Sequence, residues 1–306
     1  MRIGRATGYA VLLLLGAAWG LSAPMIKVAT DASIQPVTII VWQAAIAVGL
    51  LGFGLGVSGR LRGLPRDAAH LRLYAVVGLF GMALPSWASY SATAFLPAGV
   101  ISVIISLVPV FALPMALALG TERFEARRLA GVALGGLAMV LLIGPEASLP
   151  DPSLWIWVPV AALAPFFYAV EGAYVFGAGA MRASALQTLW AGYVVSLSGA
   201  LPLALVAGVP LLPPVEAGAA VGAFVLAGVL GIGAYAGYLW LIQRTGAVFG
   251  AQVAYTVTGM GVLWAMLLLG ERYSLWVWGA LALLVGGLTL VQPRGAAKQE
   301  AGHGGT

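Results

Sequence analysis

Residues 98–144 read AGVISVIISLVPVFALPMALALGTERFEARRLAGVALGGLAMVLLIG, and residues 248–292 read VFGAQVAYTVTGMGVLWAMLLLGERYSLWVWGALALLVGGLTLVQ. In each, an apolar run closes on a glycine and an acid and leads into a second apolar run. The junctions are Gly120-Thr121-Glu122-Arg123-Phe124 and Gly270-Glu271-Arg272-Tyr273, followed by Arg128–Ile143 and Leu275–Val291. Upstream, Gly78 and Gly81 return as Gly228 and Gly231. A repeat of this length constrains the fold before any single residue does.

Composition decides the solvent. Hydrophobic residues make up 61% of the 306 and charged residues 8%, where a soluble domain carries roughly a quarter charged. One soluble core cannot hide that much apolar surface, so lipid faces most of it. The chain has no cysteine, which excludes disulfides and thiolate chemistry. Its net charge of +5 comes from scattered basic residues rather than a basic patch, which argues against nucleic acid as a partner.

About 20 apolar residues cross a bilayer as a helix. Ten segments are that long or nearly so: 7–29, 36–57, 71–93, 97–119, 127–144, 154–176, 184–207, 217–243, 247–269 and 274–292. Continuous rather than alternating apolar runs exclude a β-barrel. With the N-terminus inside, thirteen of the fifteen Lys and Arg fall on cytoplasmic segments, and only Lys27 and Arg272 fall outside. That asymmetry places both termini in the cytoplasm and the protein in the cytoplasmic membrane. Arg2 and Arg5 before a stretch ending in Ser22-Ala23 also have the form of a cleavable leader. The apolar run continues past Ala23, which favours a retained first helix.

Ten spans in two copies give five helices per copy, and an odd number inverts the second copy across the membrane. The expected architecture is an all-α membrane protein of two inverted repeats, 1–148 and 149–293, with a disordered cytoplasmic tail over 294–306. Such carriers bind substrate near the midplane where the halves meet.

Particular residues add a family likeness. Ala18-Trp19-Gly20 followed by Lys27, Leu107-Val108-Pro109-Val110-Phe111, the Gly120/Glu122 and Gly270/Glu271 helix ends, and Gly131 and Gly279 resemble an EamA-type member of the drug/metabolite transporter superfamily over residues 5–293. The resemblance implies export of small metabolites such as amino acids by alternating access. The small multidrug transporters of that superfamily carry a glutamate in their first helix. Measured back from Lys27 it falls at Trp19, so that acid is not carried over. The second copy has Gly259 where the first has Pro109, a departure from the family pattern.

Glu171 is the one ionisable residue well inside an expected span. A carboxylate there costs on the order of 3 kcal/mol, so it should face the bundle interior or a wet cavity. Tyr168, Glu171 and Tyr174 are spaced three apart, putting the acid between two phenols. It would hold a substrate ammonium or carry a proton. The structural alternatives are an ion pair with Arg182 or Arg244, or a position at the interface.

The remaining expected lining comes from the first four helices of each copy. Trp19, Ser22, Trp42, Gln43, Trp87 and Tyr90 are joined by Ser102 and Ser106. The second copy offers Trp190, Tyr193, Tyr235, Tyr238, Gln252, Tyr255 and Thr256. Gln43 and Gln252 carry most weight, because an amide at membrane depth must find partners. Pro24, Pro85, Pro109, Pro114, Pro165 and Gly259 are the expected hinge positions.

Several absences count. Buried Lys or Arg for a phosphorylated substrate are lacking, and so is a phosphate-binding loop for ATP. Gly231-Ile232-Gly233 with Gly237 lies inside a helix and reads as packing. His70 in a loop and His303 in the tail do not furnish an intramembrane enzyme. The expectation is a secondary transporter, not an enzyme, without cofactor or metal, with lipid as neighbour, a small molecule such as an amino acid as partner, and a monomeric assembly. The alternative is a proton-coupled exporter of lipophilic or cationic drug-like compounds.

Overall fold

The computed structural model describes residues 5–118, 120, 125–143, 151–177, 183–245 and 253–291. Gln252, Glu122, Arg182 and the tail 294–306 lie outside them, as do the side chains of Tyr255 and Arg244.

Every regular element among the described residues is helical. The longer ones are α1 (Arg5–Gly20), α2 (Ser22–Asp31), α3 (Pro36–Val57), α4 (Ala68–Gly78), α5 (Leu84–Thr93), α6 (Ala98–Ile105) and α7 (Val108–Ala118). They continue with α8 (Ala126–Ile143), α9 (Trp157–Gly177), α10 (Ala185–Val206), α11 (Gly218–Thr245), α12 (Val253–Leu269) and α13 (Leu275–Val291). Seven stretches are long and apolar enough to cross a membrane, and α1 with α2, α4 with α5, and α6 with α7 each act as one span. Three further apolar stretches, Leu129–Ala138, Thr256–Leu269 and Leu275–Gly287, are shorter.

Three spans are interrupted, each just before a proline. Leu21 separates α1 from α2, Ser106-Leu107 separates α6 from α7, and a π-turn over Leu79–Ala83 joins α4 to α5. Proline lacks an N–H and its ring presses on the carbonyl four residues back. For Pro24, Pro85 and Pro109 those carbonyls belong to Gly20, Gly81 and Ile105, at the three irregularities. Pro114, Pro165 and Gly259 sit inside continuous helices. At these three expected hinges the neighbouring turns absorb the residue without a break.

Helix packing comes in matched pairs. Contact of α1 with α12 is answered by α7 with α9, and α2 on α11 by α5 on α9. Contact of α4 with α10 is answered by α3 with α11, while α3 with α10, α6 with α12 and α8 with α13 are their own counterparts.

The end of the bundle carrying the 94–97 and 270–274 loops is packed with apolar side chains. Leu96, Val100, Ile101, Val158, Val262 and Val277 form its buried apolar cluster, and Phe95 stacks on Trp157 at 4.0 Å. There Gly270 takes φ +66°, the left-handed conformation that closes a helix. The turn it makes brings Glu271 onto the start of α6, where its carboxylate accepts from the N–H groups of Ala98 (2.8 Å) and Gly99 (3.2 Å). Tyr273 donates to the same carboxylate and accepts from Gly99 N–H. At the opposite end the Gln187 amide donates to the Arg60 carbonyl at 2.7 Å, tying the 58–67 loop to α10.

One loop assignment is corrected. His70 lies in the first turn of α4 and is buried, its Nδ1 2.8 Å from the Asp67 carboxylate that caps the helix. Asp67 at the N-cap position draws the chain into helix earlier than hydropathy alone indicates.

Candidate functional site

A cavity of about 610 Å³ lies along the axis of the bundle. It reaches from Ile26, Ile40 and Thr93 towards Leu189 and Val253, and no residue of α8 or α13 lines it. Its walls come from α1 to α7 and α9 to α12, together with the π-turn.

Glu171 of α9 projects into this space against Gly81 of the π-turn. A Cβ built on Gly81 would stand 2.8 Å from the Glu171 Cδ and 2.9 Å from Oε1, so only glycine leaves the carboxylate where it is. Gly81 is near the middle of the span Ala68–Thr93, which puts the acid at mid-depth rather than at an interface. Helical side chains lean towards their own N-terminus, and for Glu171 that is the direction of the bundle centre. Among the described residues its carboxylate has no hydrogen-bond or ion-pair partner. The phenols of Tyr168 and Tyr235 lie within its field.

The expected lining residues divide into three groups. Trp19, Ser22, Gln43, Tyr90, Ser102, Ser106, Tyr168, Tyr235 and Tyr238 all face the cavity with Glu171. Trp19 and Tyr238 meet across it at a ring distance of 5.7 Å. Tyr193 is there too.

A second group is placed elsewhere. Tyr174 and Trp87 are 37% and 45% exposed and do not line the cavity. The reason is helical phase: at about 100° per residue, Tyr168 and Tyr174 point about 120° apart. Trp87 likewise falls off the face that carries Ser86, Ser89, Tyr90 and Thr93. Trp42 ties α3 to the loop after α10 by donating to the Leu211 carbonyl (2.8 Å), and Trp190 ties α10 to α3 by donating to that of Val48 (3.1 Å). Thr256 sits in the seam between α12 and α1 and donates to Leu12 O at 3.2 Å. A Cβ on Gly16 would overlap Thr256, so that seam depends on the glycine.

The third group is Gln252, outside the described residues, and Tyr255, whose side chain is. Residues missed by sequence reasoning include Met82, Ser86, Ser89, Thr93, Ser196 and Thr258. Ser86, Ser89, Tyr90 and Thr93 stand at i, i+3, i+4 and i+7, a polar stripe that was legible.

Gln43 finds its partners. Tyr90 donates to Gln43 Oε1 at 2.7 Å, and Gln43 Nε2 donates to Phe224 O at 3.0 Å. The amide therefore bridges α3, α5 and α11. Five of the wall hydroxyls are also engaged: Ser89 donates to Pro85 O, Thr93 to Ser89 O, Ser102 to Ala98 O, Ser106 to Val103 O and Thr258 to Ala254 O. Their protons are spent on helix carbonyls, while lone pairs remain for a donor in the cavity.

A many-span helical bundle around a largely apolar mid-depth cavity that holds one carboxylate is an architecture found in membrane carriers. The model of the EamA-like transporter family, of the drug/metabolite transporter superfamily, matches residues 6–144 of this chain. No curated protein matches the chain. A solved chain described only as the crystal structure of a protein is similar to it, with a TM-score of 0.62 and 18% identity over 94% of this chain and 96% of that one. The likeness is one of fold.

Proposed function

We propose that this transporter exports small amine-bearing metabolites across the cytoplasmic membrane, with Glu171 receiving the substrate ammonium. The observation that carries the reading is the placement of Glu171. An unpaired carboxylate on Gly81, in a cavity bounded by phenols and hydroxyl lone pairs, is a receptor for a cation. Amino acids, the expectation from sequence, are one class of small amine.

The transport cycle follows from the packing. Matched contacts support two inverted five-span halves, 1–148 and 149–293, counting the three shorter apolar helices as crossings. The halves rock about the central cavity and expose it to each side in turn. The charge asymmetry of the loops favours the 94–97/270–274 end as the outer one.

The test is counterflow. Purified protein is reconstituted in liposomes loaded with unlabelled amines or amino acids, and uptake of labelled solute is compared for wild type and Glu171→Gln. Exchange by wild type with a loss of at least ~10-fold in the variant supports the role of Glu171. Unchanged exchange in Glu171→Gln removes it.

A further inference from the structure

Resting on that reading, we infer that the cavity holds a second subsite, a niche between Ser22 and Gly231 that receives an oxygen acceptor of the substrate while Glu171 holds its amine. The acceptor is a carboxylate or an amide carbonyl. The substrate then carries both groups on one molecule, as an amino acid or its amide does.

The repeat locates the niche. Gly231 stands where Gly81 does in the first copy, and Ser22 stands where Glu171 does in the second. The contact of α5 on α9 is answered by α2 on α11, and both Ser22 and Gly231 line the cavity. A serine is two atoms shorter than a glutamate, so it leaves uncovered what Glu171 covers on the other side. A Cβ on Gly81 would run into the carboxylate, whereas a Cβ on Gly231 would meet nothing within 4 Å. Gly237 on the same helix is different, since a Cβ there would stand 2.8 Å from Leu15 Cδ2. The packing role expected for the 231–237 run therefore holds for Gly237 and is corrected for Gly231, which faces open space.

Donors surround that space. The Ser22 hydroxyl, the Trp19 indole N–H and the Tyr238 hydroxyl belong to the lining, and among the described residues none of them has a hydrogen-bond partner. Ser22 thus differs from the five wall hydroxyls that turn back to their own helices. Tyr238 meets the Trp19 ring at 5.7 Å, and Gly231, Tyr235 and Tyr238 stand at i, i+4 and i+7 on one face of α11. Carboxylate and carbonyl oxygens each take more than one hydrogen bond, which suits several donors converging from two helices. An ammonium gains more at Glu171, where the charge is. Tyr235 lies in the fields of both Glu171 and Tyr238, so the two subsites adjoin within one cavity.

Matched ligands read the second subsite apart from the first. Full-length protein in lipid nanodiscs is titrated calorimetrically with phenethylamine, phenylalanine amide and phenylalanine. The amide or the free acid should bind at least ~10-fold more tightly than phenethylamine, the gain from about two hydrogen bonds. Which of the two shows the gain tells a carbonyl from a carboxylate. Ser22→Ala and Gly231→Val, each checked for folding by a thermal melt, should each cut that advantage to ~3-fold or less. The open space at Gly231 leaves room for the valine in a folded protein. Phenethylamine binding as tightly as the other two, or an advantage that survives both variants, overturns this inference and leaves the amine on Glu171 standing. Binding of none of the three overturns the placement of an ammonium on Glu171 itself, and the niche with it.

Discussion

Glu171 and Gly81 form one functional unit, because the space a side chain at 81 would take is the space the carboxylate fills. Gly81→Val should therefore reduce exchange about as far as Glu171→Gln, at least ~10-fold. Counterflow beside a thermal melt in detergent checks it, and a fully active Gly81→Val would break the pairing. Tyr90→Phe makes a different prediction: it leaves Gln43 Oε1 without its donor and should cost about 1–3 kcal/mol of stability, read as a lowered unfolding temperature. At this scale Glu171, Trp19 and Gln43 were legible, because polar groups are rare in an apolar chain and each demands a partner. Ser86 and Ser89 were not singled out, since a lone serine in a membrane helix is satisfied by its own backbone. Tyr174 misled because a spacing of three drifts round a helix and a spacing of six leaves the face.

The helices carry two kinds of instruction. Prolines set the irregularities, and Pro85 matters most because it frees the Gly81 carbonyl beside Glu171. Pro85→Ala restores an N–H and should straighten the π-turn. Exchange should fall by ~5-fold or more while the unfolding temperature does not drop; an active variant would show the π-turn to be incidental. The Glu271 cap instructs in the other sense, holding the start of α6 in place. Glu271→Ala leaves the N–H of Ala98 unpaired and that of Gly99 on Tyr273 alone, and should cost ~1–2 kcal/mol. Tyr273, next to it in the loop, has its phenol pushed above its ordinary value of 10.0, by burial first and then by the Glu271 carboxylate. A raised value means the folded protein keeps the proton longer than the unfolded chain. This contribution is complete below pH 10 and declines as pH rises above it. Tyr273→Phe should remove that alkaline decline. Seven of the ten expected spans are matched by helices long and apolar enough to cross a membrane, whereas breaks at Leu21 and Ser106-Leu107 depend on which proline finds a neighbour to support a bend. Hydropathy does not record that.

For the whole molecule, topology is the expectation most open to direct test, and the absence of native cysteine makes single-cysteine mapping clean. Leu212 is 77% exposed in the loop between α10 and α11, and Gly59 lies in the loop after α3. In intact cells an impermeant maleimide should label Leu212→Cys and not Gly59→Cys, and lysis should expose the second. The reverse pattern would invert the protein. The apolar composition makes the all-helical membrane fold readable from the chain. Which wall hydroxyls keep a free proton is not readable, because it depends on which of them turn back to their own helix.

The three interruptions all fall in the first half of the chain. Opposite Pro24, Pro85 and Pro109 the second half places Ala173, Tyr235 and Gly259, in continuous helices. Two identical halves exchanging roles would make the inward-open and outward-open forms equal in energy, and the empty carrier would rest half on each side. On the proposed rocking cycle, unequal halves would give the empty carrier a preferred resting side, and about 1.4 kcal/mol between the forms would set it tenfold. On that reading, the side on which the unloaded protein waits follows from three prolines.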